Sequence, residues 1–150
     1  MKYTVVLLAL SLVCCVERSE NKSNPKTEIP TEIKSPDNGG FDTFTLAGKS
    51  IQVAKEDQKI KMNWNMAMQA CQNLGDGWRL PKKEELEAMH EQLHKQGKGN
   101  FKTDWVYWSS TEGDGEVAFD FSFNDGTAAI NYHDGGKNTL SLVRAVRDLP

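Results

Sequence analysis

The chain has 150 residues, 38% of them hydrophobic and 26% charged, with a formal net charge of -3. That suffices for one ordinary globular core and excludes a nucleic-acid surface built on excess positive charge. The only cysteines are Cys14, Cys15 and Cys71, and Cys71 alone falls in the part expected to fold, so a disulfide framework is excluded too.

Lys2 precedes an apolar run, Tyr3 to Val13, too short to span a bilayer as a permanent helix. A basic start with a short apolar core is the form of a secretory signal. The run ends in Leu12-Val13-Cys14-Cys15, which resembles the end of a bacterial lipoprotein signal, where a cysteine becomes the lipidated first residue. Residues 1–14 are read as that signal and Cys15 as the lipid-bearing residue, with Cys14 the alternative acceptor. An ordinary cleaved signal with incidental cysteines is the competing reading. The lipoprotein resemblance implies a lipid anchor at the bacterial cell envelope, periplasmic or at the cell surface. Residues 15–40 are poor in apolar side chains beyond the first few, and Pro25, Pro30 and Pro36 forbid a helix through them, so they read as a disordered tether.

Residues 41–150 carry the folding signals. Phe41 to Val53 alternates and turns at Ala47-Gly48-Lys49, as a hairpin does. Glu56 to Met62 is a polar connection. Trp64, Ala67, Met68, Cys71 and Leu74 recur at helical spacing and predict one apolar stripe. Gly75 and Gly77 end that helix. Trp78-Arg79-Leu80 crosses over in extended form, because the residue before proline is driven from the α region. Pro81 is expected to open a second helix, with Glu84, Glu85 and Glu87 near its positive end and Leu86, Met89 and Leu93 buried. Strands are predicted over Asp104–Ser109, Val117–Phe123, Thr127–Tyr132 and Thr139–Val146. Asn124-Asp125-Gly126 supplies a hairpin turn, and Phe119, Phe121 and Phe123 share one face. Helices and antiparallel strands in this order predict an α+β domain, two helices packed on a twisted antiparallel sheet.

One stretch carries a specific pattern: W-x-x-A-x-x-x-C-x-x-L-x-x-G-W-R-L-P-x-x-x-E-L, formed by Trp64, Ala67, Cys71, Leu74, Gly77, Trp78, Arg79, Leu80, Pro81, Glu85 and Leu86. With Trp108-Ser109-Ser110, the Phe119–Gly126 segment and Val143-Arg144-Ala145-Val146-Arg147, it resembles the C-terminal domain family of Legionella collagen-like protein. That family is similar in pattern to the Fibrobacter succinogenes paralogous domain and, more distantly, to formylglycine-generating enzymes and C-type lectins. The resemblance implies a C-type-lectin-like fold in which Trp64, Cys71, Trp78, Arg79, Leu80, Pro81, Glu85, Arg144 and Arg147 serve as scaffold. It also implies adhesion to sulfated glycans, a chemistry that needs basic patches. Here Asp104 to Gly136 holds seven acidic residues and no Lys or Arg, while Lys82, Lys83, Lys95, Lys98 and Lys102 gather around the second helix and its loop.

The candidate chemistry is weighed residue by residue. Arg79, Arg144 and Arg147 could clamp an anion, but an arginine fork more readily ties elements together, Arg79 through a carboxylate such as Glu85. Cys71 lies on an apolar stripe without the second cysteine that formylglycine-generating chemistry uses, so it reads as core. His90 and His94 are one helical turn apart but lack the intervening glutamate of a zinc-protease motif, and His133 sits in a turn. Calcium remains a minority reading, because the Asp/Gly clusters are explained equally well as turns. Trp105, Tyr107 and Trp108 share a strand, so one or more rings should face outward and offer a stacking surface to a sugar. The sequence thus points to a non-catalytic, metal-free envelope domain binding a glycan or surface protein through Trp105, Tyr107 and Trp108. An assembly module of an envelope complex is the alternative, and an enzyme the least favoured.

Overall fold

The computed structural model describes residues 41–131 and 136–150. The signal segment 1–14, Cys15, the tether 15–40, Tyr132 and His133 lie outside the described residues.

The domain is α+β: two helices and two small antiparallel sheets of three strands each. β1 (Thr43–Leu46) and β2 (Lys49–Val53) pair around Ala47 and Gly48, whose φ angles of 50° and 78° are the pair of positive values a two-residue hairpin turn demands. β6 (Val146–Asp148) adds to the other side of β2, so the first and last segments of the domain share one sheet. The second sheet runs β3 (Val106–Glu112), β4 (Ala118–Ser122) and β5 (Thr127–Ile130), with an irregularity in the β3–β4 register between Trp108 and Glu112.

The single sheet expected from the sequence is therefore corrected to two. Residues 139–145 look like strand by composition, but Ser141 bridges to Met62 and Leu142 to Tyr107, while the carbonyls of Val143 and Ala145 accept from Gln58 and Ala54. The segment stitches the two sheets together instead of joining either, and the last strand starts only at Val146.

α1 (Trp64–Gln72) is capped by Asn63, whose side chain accepts from the Met66 N–H at 2.9 Å. It ends two residues before Leu74, which leaves the stripe and stands 46% exposed. α2 (Lys83–Gln92) begins later than expected, because Lys82 is still extended and Pro81 is held outside the helix by its carbonyl, which accepts from Ser110 N–H at 2.7 Å. Glu85 reaches back to accept from the Lys82 N–H at 2.7 Å, satisfying one of the orphan donors at the helix start.

The β3–β4–β5 sheet is a partition with a hydrophobic cluster on each side. One side holds Tyr107, Phe121, Phe123, Leu86 and Met89 beneath α2; the other holds Trp108, Ala118, Leu80, Cys71 and Trp64 beneath α1. Burial of each large ring contributes on the order of 2–3 kcal/mol. The buried indole N–H groups are also satisfied: Trp64 donates to Ser109 O at 2.8 Å and Trp108 to Met62 O at 3.0 Å. Among the described residues, no helix is long and apolar enough to cross a membrane.

Candidate binding face

The two-residue period of β3 sends Tyr107 and Trp108 into opposite clusters, and both are fully buried. The expectation that they touch a ligand is corrected on that ground: neither ring reaches the surface. Tyr107 instead donates its hydroxyl proton to Asp57 Oδ2 at 3.0 Å and accepts from the Lys102 N–H at 2.9 Å. Burial holds its phenol well above the usual tyrosine value.

Trp105 lies just before β3, where the chain has not yet entered the sheet, and is 45% exposed. Its indole N–H donates to Leu140 O at 3.3 Å, and Lys61 Nζ stands 2.9 Å from the ring centroid. Leu140 is itself 55% exposed, and Ile60, the neighbour of Lys61 in the chain, 62%. An indole, an aliphatic side chain and an ammonium thus form one exposed face.

The arginines are engaged within the fold. Arg79 makes a two-pronged pair with Glu85, both bonds 2.8 Å, and also bonds Asp148. Its backbone pairs with Val146, so it fastens α2 to the end of β6. The guanidinium holds the Asp148 carboxyl below the usual range. Arg147 donates to Gln52 at 2.6 Å and lies 4.8 Å over the Trp78 ring. Arg144 is buried and gathers Asp57 (2.7 Å) and the carbonyls of Ala54 (3.2 Å), Lys55 (3.3 Å), Gly99 (2.7 Å) and Asn100 (3.4 Å).

Cys71 has no exposed surface, and burial pushes its thiol up to about 12, far from the thiolate a nucleophile needs. His90 and His94 stack with ring centroids 5.4 Å apart against Phe121 and Phe123. Burial, then the neighbouring His90, holds the His94 imidazole below its ordinary value. Asp125, one of the calcium candidates, accepts from the Thr127 hydroxyl at 2.8 Å as a turn residue does. Among the described residues, no cluster of three or more His, Cys, Asp or Glu is arranged to hold a metal.

The lysines expected to gather around α2 are dispersed in their engagements. Lys83 sits over Phe119 at 4.8 Å, Lys95 bonds Glu91 at 2.7 Å, and Lys82 and Lys102 line different clefts. Sequence reasoning missed Asp57, Lys61 and Leu140. The first two sit in the stretch Glu56 to Met62, which reads only as a polar connection, and the partner that explains Asp57, Arg144, is 87 residues away, beyond any local signal.

Residues 42–147 match the family described as the Lcl C-terminal domain. No curated protein matches the chain. Among solved structures, the chain is similar to the Yersinia pseudotuberculosis adhesin InvE, with 19% identity and a TM-score of 0.48 over 75% of this chain. It spans 38% of that longer chain.

Proposed function

This chain belongs to the Lcl C-terminal domain family, and from that premise we propose a non-catalytic recognition domain, C-type-lectin-like in fold, that binds a glycan or a surface protein. Its place is the bacterial cell envelope, where a lipid on Cys15 anchors it and residues 15–40 give it reach. The contact face is Trp105 with Lys61 and Leu140.

The single observation that carries this reading is the exposure of Trp105. The other three tryptophans are accounted for inside the fold: Trp64 and Trp108 are buried with their N–H groups bonded, and Trp78 is half-buried under Arg147. A large ring left 45% in water, beside another exposed apolar side chain, is the composition that recognition surfaces favour. The reading as non-catalytic is supported by the burial of Cys71 and by the internal partners that engage Arg79 and Arg144.

Ile60 and Leu140 favour a second reading, an assembly module that covers this face with another envelope protein. A glycan array probed with the full-length chain, with and without calcium, separates the two. Binding that survives chelation and disappears in Trp105→Ala supports the recognition reading; no glycan signal, with capture of an envelope protein through the same face, favours assembly. The anchor has its own test: mass spectrometry of the mature N-terminus shows an acylated Cys15, and an unmodified cysteine there rules the anchor out.

A further inference from the structure

We propose that the cleft between residues 56–59 and 100–102 is a second contact region, which takes the hydroxyl groups of a neutral oligosaccharide whose neighbouring unit lies on Trp105. This rests on the recognition reading above and adds a ligand class and a site to it.

The cleft encloses about 350 Å³, within the size range of small-ligand sites. Its two walls come from distant parts of the chain, and Arg144 ties them to each other. One guanidinium donates to Ala54, Lys55 and Asp57 at one wall and to Gly99 and Asn100 at the other. The Tyr107 hydroxyl adds a second tie, from Asp57 to the Lys102 N–H. A buried charge is costly to desolvate, and an apolar replacement often stabilises a fold equally well. What this arrangement adds beyond stability is two loops held at a fixed separation, and fixed walls lower the ordering cost of binding. Asn100 supports the same conclusion. It follows a left-handed Gly99 and itself holds φ 46°, a region that side chains other than glycine seldom occupy.

The lining has the chemistry of hydroxyl recognition. The side-chain amides of Gln58 and Asn100 make no hydrogen bond among the described residues, and each offers a donor and an acceptor. Glu56 is exposed beside them and accepts only; Lys59 and Lys102 donate only. A hydroxyl is both donor and acceptor and satisfies such a mixture. A sulfate or uronate would meet carboxylates as well as ammonium groups, so the lining selects against polyanions.

Trp105 lies a short chain distance from both walls of the cleft. Lys61 follows Lys59 of one wall by two residues, Trp105 follows Lys102 of the other by three, and Lys61 Nζ stands 2.9 Å from the Trp105 ring centroid. At about 3.3–3.6 Å per extended residue, the two contact regions lie within about 11 Å of each other. One ring cannot fill both; a short chain of sugars can.

The test is a surface-binding series with the full-length chain and immobilised neutral oligosaccharides of increasing length, from one hexose upward, with sulfated counterparts alongside. The proposal expects affinity for neutral chains to rise beyond the first unit and then level off. Gln58→Ala, and Asn100→Gly, which keeps the left-handed backbone open, should each weaken the longer ligands about tenfold, the scale of one lost hydrogen bond to a hydroxyl. Both should leave the single hexose unchanged, and Trp105→Ala should weaken every length. Circular dichroism melting of each variant confirms that it is folded. If Trp105→Ala abolishes binding and the cleft variants bind like the parent at every length, the cleft proposal is overturned and the Trp105 reading stands. Binding to sulfated chains alone also overturns the cleft proposal. No binding to any glycan overturns both.

Discussion

Tyr107 and Trp108 are neighbours in the chain, yet their side chains belong to two hydrophobic clusters on opposite faces of one sheet. Each is covered by a different helix, α2 over the Tyr107 side and α1 over the Trp108 side. The pair marks where the sheet separates the two halves of the core.

Trp108→Ala should therefore cost about 3–5 kcal/mol, the usual range for truncating a fully buried indole. It also removes one of the two hydrogen bonds to the Met62 carbonyl, which keeps the one from the Ser141 N–H at 3.1 Å. Urea unfolding followed by tryptophan fluorescence measures the loss. Trp105→Ala in the same assay should change stability by under about 1 kcal/mol, since that ring is half in water. Equal losses at the two positions would contradict the assignment of one ring to the core and the other to the surface.

Arg79 and Glu85 form the second structural test. Glu85 is buried and accepts from both guanidinium nitrogens and from the Lys82 N–H. Arg79 is partly open to solvent, which discounts the pair relative to a fully buried one. Glu85→Gln should destabilise by roughly 1–3 kcal/mol. A double-mutant cycle with Arg79→Met should return a coupling energy of the same sign and order. A coupling near zero would show that the pair does not hold α2 to the sheet.

The pH dependence has a defined sign. The folded His94 imidazole titrates below its ordinary value of 6.5, so the unfolded chain binds the extra proton first. This contribution is fully present above about pH 6.5 and is lost progressively as pH falls from there toward the folded value. His90 stacks on the ring, Phe101 and Phe123 pack against it, and the nearby carboxylate, Glu91, is engaged by Lys95. Melting temperatures between pH 7.5 and 5 should fall in the parent and fall less in His94→Gln. An identical slope in both would assign the dependence to another group.

The helix–turn–helix stretch was readable because its physics is local. The spacing of Trp64, Ala67 and Cys71, the glycines at 75 and 77, and the proline at 81 act within a few residues of one another. Arg79 reaching Glu85 also spans one short connection. What was not readable depended on distant partners. Residues 139–145 carry the side chains of a strand, but the bridges at Ser141 and Leu142 reach residues that no local pattern ties to them. Alternation along β3 shows that Tyr107 and Trp108 must point opposite ways, but not that both sides are covered. The exposure of Trp105 depends on its lying one residue outside the strand, a boundary that sequence places only within a few residues. Lys61 and Leu140 join that face from segments 44 and 35 residues away along the chain, so they become neighbours only in the fold.

The central claim is that this domain recognises its partner through Trp105, and one comparison tests it most directly. The full-length parent and Trp105→Ala are applied side by side to the same glycan array, after both are shown to be folded at the assay temperature. The account predicts that every glycan bound by the parent gives a weaker signal in the variant. A folded Trp105→Ala protein that keeps the parent's binding pattern would contradict it.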